Sequence, residues 1–312
     1  MPWPALPLDD WQDTHDTVWR WLQIVGKVRL AHAPWVNHSW HVPLYVSARG
    51  LTTSLVPHAS GSFEVRFDVV SHVLEVETTN GQRQAFDLEP MSVATFYERT
   101  MSALEDVGVP TEIWPMPVEI PGDVSRFPND TEHAAYDRDA VGRYWQVLVE
   151  VDRVLAQFRA QFVGKVSPVH LFWGAFDLAV TRFSGRTAPD HPGGAPHLAD
   201  WVMREAYSHE VSSAGFWPGA GVGEPSFYSY AYPEPDGYRE YPVSPEAARY
   251  DADLGEYVLP YDAVRTADDP AATLTAFLET TYAAAADLAE WDRAALEVGG
   301  GKHGLTNGPR SV

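Results

Sequence analysis

Apolar positions recur every three or four residues at the start of the chain, then alternate one by one, and this change of period marks out its elements. Asp9 followed by Gln12 has the spacing of a capping box. Trp11, Val18, Leu22 and Val25 continue at helical spacing and predict a helix over 10–31 with one stripe turned inward. Phe63, Val65, Phe67 and Val69 alternate with Glu64, Arg66 and Asp68, the pattern of a strand with one wet face. Asn80-Gly81 separates strand-like runs at 74–79 and 83–88 and supplies the positive φ angles of a tight hairpin, so the sheet over 40–88 is read as antiparallel. Val93, Phe96, Tyr97, Met101 and Leu104 predict a second helix, closed by Gly108 and Pro110. A proline-rich passage, 110–128, follows as an irregular crossing.

The longest predicted helix spans 131–164, with Tyr144, Leu148, Val151, Leu155, Phe158 and Phe162 as its buried stripe. Residues 165–186 read as a strand ending at Gly185, 187–196 as a loop, 198–207 as a short helix and 227–232 as a strand. Residues 233–269 read as a long ordered loop. Asp269 and Pro270 open a last helix that turns Leu274, Leu278, Tyr282 and Ala285 inward. The expectation is an α+β fold of largely antiparallel sheet with packed helices, one unit over 1–297 followed by a flexible tail, 298–312. A helix precedes a histidine-led strand twice, at His41 and at His170. This makes 1–128 and 129–297 candidate pseudo-symmetric halves, whose strands would join into one extended sheet or barrel.

Composition then narrows the function. The 312 residues are 45% apolar and carry 43 acidic against 22 basic side chains, a net charge of -21 that repels nucleic acid and anionic membrane surfaces. The absence of cysteine removes disulfides and thiolate chemistry. No run approaches the ~18 apolar residues of a membrane span, and the first residues lack a basic leader, so a cytoplasmic location is expected. There is no P-loop and no Gly-x-Ser-x-Gly elbow, and His209-Glu210 lacks the second histidine of a zincin helix. The glycines from Gly219 to Gly223, flanked by Pro218 and Pro225 and followed by a strand, read as a turn. No motif names a cofactor.

Candidate chemistry concentrates in 165–186, where His170, Asp177, Arg182 and Arg186 interrupt an apolar, aromatic run. Such groups are either paired internally or line a pocket. On a single strand Arg182 shares a face with His170, Phe172 and Phe176, and Asp177 shares the other with Trp173. A bulge at Gly174 would return Asp177 to the arginine face as an ion-pair partner. Trp173, Trp201, Trp217, Tyr228, Tyr230 and Tyr232 are either core or stacking surfaces for a planar ligand. His38 and His41, three apart, would point to opposite faces of a strand. His191, His197 and His209 with Asp190, Asp200 or Glu210 form an alternative, metal-dependent set of no recognised spacing.

The segment 168–186, Ser208-His209-Glu210 with 216–219, and the N-terminal 3–7 resemble a family of uncharacterised bacterial proteins known only as a domain of unknown function. That resemblance spans 1 to about 297; it implies one full-length unit and carries over no activity or site residues. The leading expectation is therefore a protein binding a small polar or anionic molecule in an aromatic-lined pocket. His170, His209 and Glu210 are its candidate catalytic residues, and Trp173, Asp177, Arg182, Arg186 and Trp217 its candidate ligand-binding residues, with no metal ligand assigned. A metal-dependent hydrolase and a noncatalytic interaction module using 218–262 are the alternatives.

Overall fold

The computed structural model describes residues 3–219 and 223–299. The predicted tail beyond residue 299, and residues 220–222 of the expected glycine turn, lie outside them. The chain is an α+β fold with two antiparallel sheets of six strands and no closed barrel.

Helix α1 (Gln12–His32) leads into β1 (Tyr45–Ser47), β2 (Gly50–Thr52), β3 (Val56–His58), β4 (Gly61–Asp68), β5 (Val73–Thr78) and β6 (Arg83–Asp87), and α2 (Val93–Asp106) closes this first sheet. Its strand order is β1-β2-β4-β5-β6, with β3 also on β4. Alternation on β4 puts Phe63, Val65 and Phe67 in the core, and Gly81 sits at φ +88 in the turn between β5 and β6, as Asn80-Gly81 predicts. Ser92 caps α2 by accepting from the Thr95 N–H at 3.1 Å. The expected single stripe of α1 is a correction: nearly every position from Thr14 to Val28 is buried. One side of the helix stacks Trp21 on Phe96, while Trp19 on another side lies against Phe176 of the second half.

The predicted 131–164 helix is shorter. It is α3 (Arg138–Ala160), because the Asp137 carboxylate accepts from the N–H groups of Asp139 and Ala140 and so begins the helix seven residues later. Next come β7 (His170–Phe172), β8 (Asp177–Thr187), α4 (Asp200–Ala206), β9 (His209–Trp217) and β10 (Ser226–Tyr232). The expected loop over 233–269 instead contains β11 (Arg249–Asp251), β12 (Glu256–Pro260) and α5 (Tyr261–Arg265), before α6 (Pro270–Leu288) and α7 (Arg293–Leu296). The second sheet runs β11-β12-β10-β9-β8-β7. Its short outer strands escape a periodicity reading because each has only three to five residues, bounded by Pro, Asp and Gly.

Residues 165–186 are a hairpin rather than one strand. Residues 173–176 turn the chain, with Phe176 at φ +61, and Phe172 faces Asp177 in the register. The irregularity in β8 falls between Phe183 and Thr187, where Gly185 takes φ +90, not at Gly174. Leu44 and Leu171 exchange both backbone hydrogen bonds, at 2.9 and 2.8 Å, and tie the edge of the first sheet to the edge of the second. Asp269 caps α6, whose Leu274, Phe277, Leu278 and Tyr282 pack with α3 under the second sheet. One continuous buried cluster, from Leu6 to Trp291, runs through both sheets.

Candidate functional site

The two faces of the second sheet have different fates, decided by side-chain alternation. Leu178, Val180 and Arg182 of β8, with Ala214 and Phe216 of β9, face the helices. Asp177, Ala179, Thr181 and Phe183 of β8, with Val211, Ser213 and Trp217 of β9, line the floor of a cavity of about 450 Å³. Tyr228 and Tyr230 of β10 and Glu256 of β12 extend that floor. Opposite it stand the 35–42 segment, Val118 and Glu119, and the 173–175 turn, while Trp201, Val202, Met203 and Ala206 of α4 cover one side. The volume suits a small organic ligand.

Two glycines shape this cavity. A Cβ at Gly215 would lie 2.5 Å from both the Tyr228 Oη and the Leu178 carbonyl oxygen. The bare position lets the Tyr228 ring cross β9 so that its hydroxyl donates to the Asp177 Oδ2. A Cβ at Gly174 would fall on the Glu119 Oε1, so the missing side chain makes room for that carboxyl. Glu119 itself holds φ +62, in the left-handed region that a non-glycine residue adopts at a cost. Helix α1 fixes this corner. Gln23 brackets Val118, donating to its carbonyl and accepting from its N–H, both at 2.8 Å, and Trp19 Nε1 donates to the Gly174 carbonyl at 2.9 Å.

Three carboxyl groups meet in the cavity, and all are pushed upward. Burial raises Glu119 to about 7, with the charge of Asp177 adding to the rise and Lys27 opposing it. Burial raises Asp177 to about 6, against the Tyr228 hydrogen bond. Burial raises Glu256 to about 8, with Asp177 and Asp251 adding to it, and its Oε2 is buried without a hydrogen-bond partner. No arginine or lysine is among the described residues lining the cavity. Lys27, held down to about 8 by burial, lies 5.3 and 5.4 Å from the ring centres of Trp114 and Trp173. Lys165 reaches the His38 Nε2 at 2.5 Å. A lysine has only protons to offer, so that His38 nitrogen accepts, and Nδ1–H donates to the Ala206 carbonyl at 2.8 Å. Burial lowers both His38 and His41, which favours their neutral forms. Two hydroxyl pairs lie in the same lining, Tyr207 Oη with Tyr230 Oη at 2.7 Å and Thr181 Oγ1 with Ser213 Oγ at 2.9 Å.

Of the residues singled out from sequence, Asp177, Trp173 and Trp217 line this cavity, as do Trp201, Tyr228 and Tyr230 of the aromatic set. Arg182 does not. It lies on the opposite face of β8, its guanidinium 3.5 Å from the Phe158 ring centre and 4.3 Å from that of Tyr282, and it donates to the Phe158 carbonyl. Asp177 and Arg182 thus cannot pair, and the partner of Asp177 is a tyrosine. Arg186 is exposed and tied to Glu210 at 2.7 Å and to the Ala289 carbonyl at 2.5 Å, which engages the expected acid/base Glu210 in an ion pair outside the cavity. His170 is fully buried outside the lining; both ring nitrogens lack partners, and burial with the charges of Arg29 and Arg159 lowers it to about 3. His209 bonds Ser208 and lies outside the lining, its ring 5.9 Å from that of His38. The alternative metal set stays dispersed, with His191 stacked on Tyr207 and His197 bonded to the Gly122 carbonyl. Among the described residues no three His, Asp or Glu side chains gather as a metal site.

His38 and His41 both line the cavity, against the opposite-face expectation, because 37–39 is a turn with His38 at φ +59 rather than a strand. Glu119, Glu256 and Tyr207 also line the cavity and are not among the expected site residues. The Tyr228, Tyr230 alternation was the one available signal. A family model, described as a family of unknown function (DUF5996), matches residues 3–298. No curated protein and no solved structure matches the chain.

Proposed function

The chain belongs to DUF5996, a family of unknown function, and we propose from the cavity itself that it binds a small organic cation, an ammonium compound, between aromatic walls and a carboxyl-bearing floor. The observation that carries this reading is the convergence of Glu119, Asp177 and Glu256 in one cavity whose described lining holds no arginine or lysine. Carboxylates in an aromatic site with no arginine or lysine in its described lining favour a cation, because each charge loses hydration that only an opposite charge or a proton restores. Trp173, Trp217, Tyr228 and Tyr230 line the cavity with aromatic rings, the side chains that attract ammonium groups. The anionic ligand expected from Arg182 and Arg186 loses its support, since both guanidinium groups lie elsewhere.

Tetramethylammonium, whose charge does not change with pH, is the direct probe. Calorimetric titration is expected to show affinity that rises between pH 5.5 and 8.5 as the floor ionises, with protons released on binding. Neutral and anionic molecules of the same size should bind at least tenfold more weakly. Equal binding of the neutral molecule, or an affinity flat in pH, would refute the proposal. A second reading, acid-base catalysis, is favoured by Asp177 near 6 and Glu256 near 8, which places a carboxylate beside a carboxylic acid at neutral pH. Chemical conversion of a bound amine, lost in Asp177→Asn, is what would support it.

A further inference from the structure

The cavity changes character from floor to mouth. At the floor Asp177 and Tyr228 are almost fully buried, whereas at the mouth Trp35 and Trp201 are 51% and 55% exposed and Leu30 is 38% exposed. The mouth residues are apolar: Leu30, Trp35, Leu198, Trp201 and Met203 line the cavity on that side. The Trp35 and Trp201 rings come from different elements, the 35–42 segment and α4, and meet with centroids 5.3 Å apart. Two large indoles left half in water beside each other are an apolar patch continuous with the cavity interior, and such patches mark places that a ligand or partner covers.

We infer that the ligand is amphiphilic, an ammonium head against Asp177 and its neighbouring carboxyls joined to an apolar body that runs outward over Leu30, Met203, Trp35 and Trp201. This inference rests on the ammonium reading above and adds the second half of the molecule. Charge complementarity orients it: Asp177, 6% exposed, marks the closed end, so the cation goes in first and the apolar body is left along the apolar wall. The opposite orientation would strip the cation from water onto indole rims while placing hydrocarbon on three carboxyl groups.

The test is a series of alkyltrimethylammonium ions, from tetramethylammonium to the hexyl homologue, titrated into the full-length protein at pH 8. Affinity is expected to rise roughly fourfold per added methylene until the chain leaves the mouth. In Trp35→Ala and Trp201→Ala, checked for an unchanged melting temperature, the hexyl-to-methyl affinity ratio should fall by about tenfold. A flat series with tetramethylammonium still bound would overturn the apolar body and leave the ammonium reading standing. A tetramethylammonium ion that fails to bind would remove the ammonium reading itself. A chain-length dependence that stays as steep as in the wild-type protein in both tryptophan variants would show that the body lies elsewhere and overturn the placement.

Discussion

Replacing Asp177 with asparagine tests the electrostatics of the floor without any knowledge of the ligand. The carboxyl is 6% exposed and raised from 3.8 to about 6, chiefly by burial, so the folded protein holds its proton more tightly than the unfolded chain does. A group raised in the folded state stabilises the fold below its unfolded value, and that contribution is lost as pH climbs through the folded value. From about pH 4 to pH 7 the wild-type protein should therefore lose roughly 3 kcal/mol through this one group. Asparagine carries no charge at any pH, and its side-chain oxygen can still accept from Tyr228. The variant should thus be more stable than wild type at pH 8, by up to roughly 3 kcal/mol, or on the order of 5 °C in melting temperature for a chain of this size. The gain should shrink steadily toward pH 4, and Glu119 and Glu256, relieved of a neighbouring charge, should titrate lower. Thermal unfolding by circular dichroism across this range is the assay. A variant less stable than wild type at pH 8, or a gain of equal size at pH 4 and pH 8, would show that Asp177 is not a strained charge.

Arg182→Ala should lower stability by about 2–3 kcal/mol through lost ring packing and the lost bond to Phe158, while affinity for tetramethylammonium stays within twofold; chemical denaturation and calorimetry check the two halves. Burial lowers His170 from 6.5 to about 3, so it should cost the fold about 2 kcal/mol at pH 5 as the unfolded chain takes up the proton. His170→Leu should abolish that loss, and a His170 imidazole resonance, assigned by its absence from that variant, that titrates between pH 5 and 8 would contradict it. Gly26→Ala drives a methyl group into the Trp173 indole and should destabilise by about 1–3 kcal/mol, read by denaturant midpoint. Gly174→Ala meets only the end of the Glu119 side chain, which can swing away, so it should keep the fold and change the pH profile of binding instead.

Much of the architecture was legible wherever one local pattern sufficed. Alternation at 63–67, the Asn80-Gly81 turn, the Asp269-Pro270 cap and the 227–232 strand all rest on contacts within a few residues. The site was less legible, for three physical reasons. Glu119 lies in a proline-rich crossing with no period, and only the fold brings it to Gly174. Glu256 sits in a five-residue strand between acidic and glycine residues, too short to alternate visibly. Asp177 and Arg182 were weighed as partners on one bulged strand, yet β8 begins at Asp177 after a turn, and ordinary alternation then sends the two to opposite sides of the sheet. The two sheets, read from sequence as joining into one extended sheet or barrel, meet edge to edge through the Leu44-Leu171 bridge and do not close.

The hold of α1 on the cavity corner reaches beyond stability. Trp19 and Gln23 clamp the Gly174 and Val118 backbones directly, so the spacing between Glu119 and Asp177 is set by a helix buried on several sides. The mouth has no such restraint, since Trp35 and Trp201 stand half in solvent and their replacement disturbs no core. On the proposed ligand reading, chains built on this plan would change their clientele by exchanging the mouth residues alone while the charged end is inherited intact. The same division would tell an engineer where to diversify: on that reading a library at residues 35 and 201 alters what is accepted, and one at residues 19 and 23 alters whether there is a site at all.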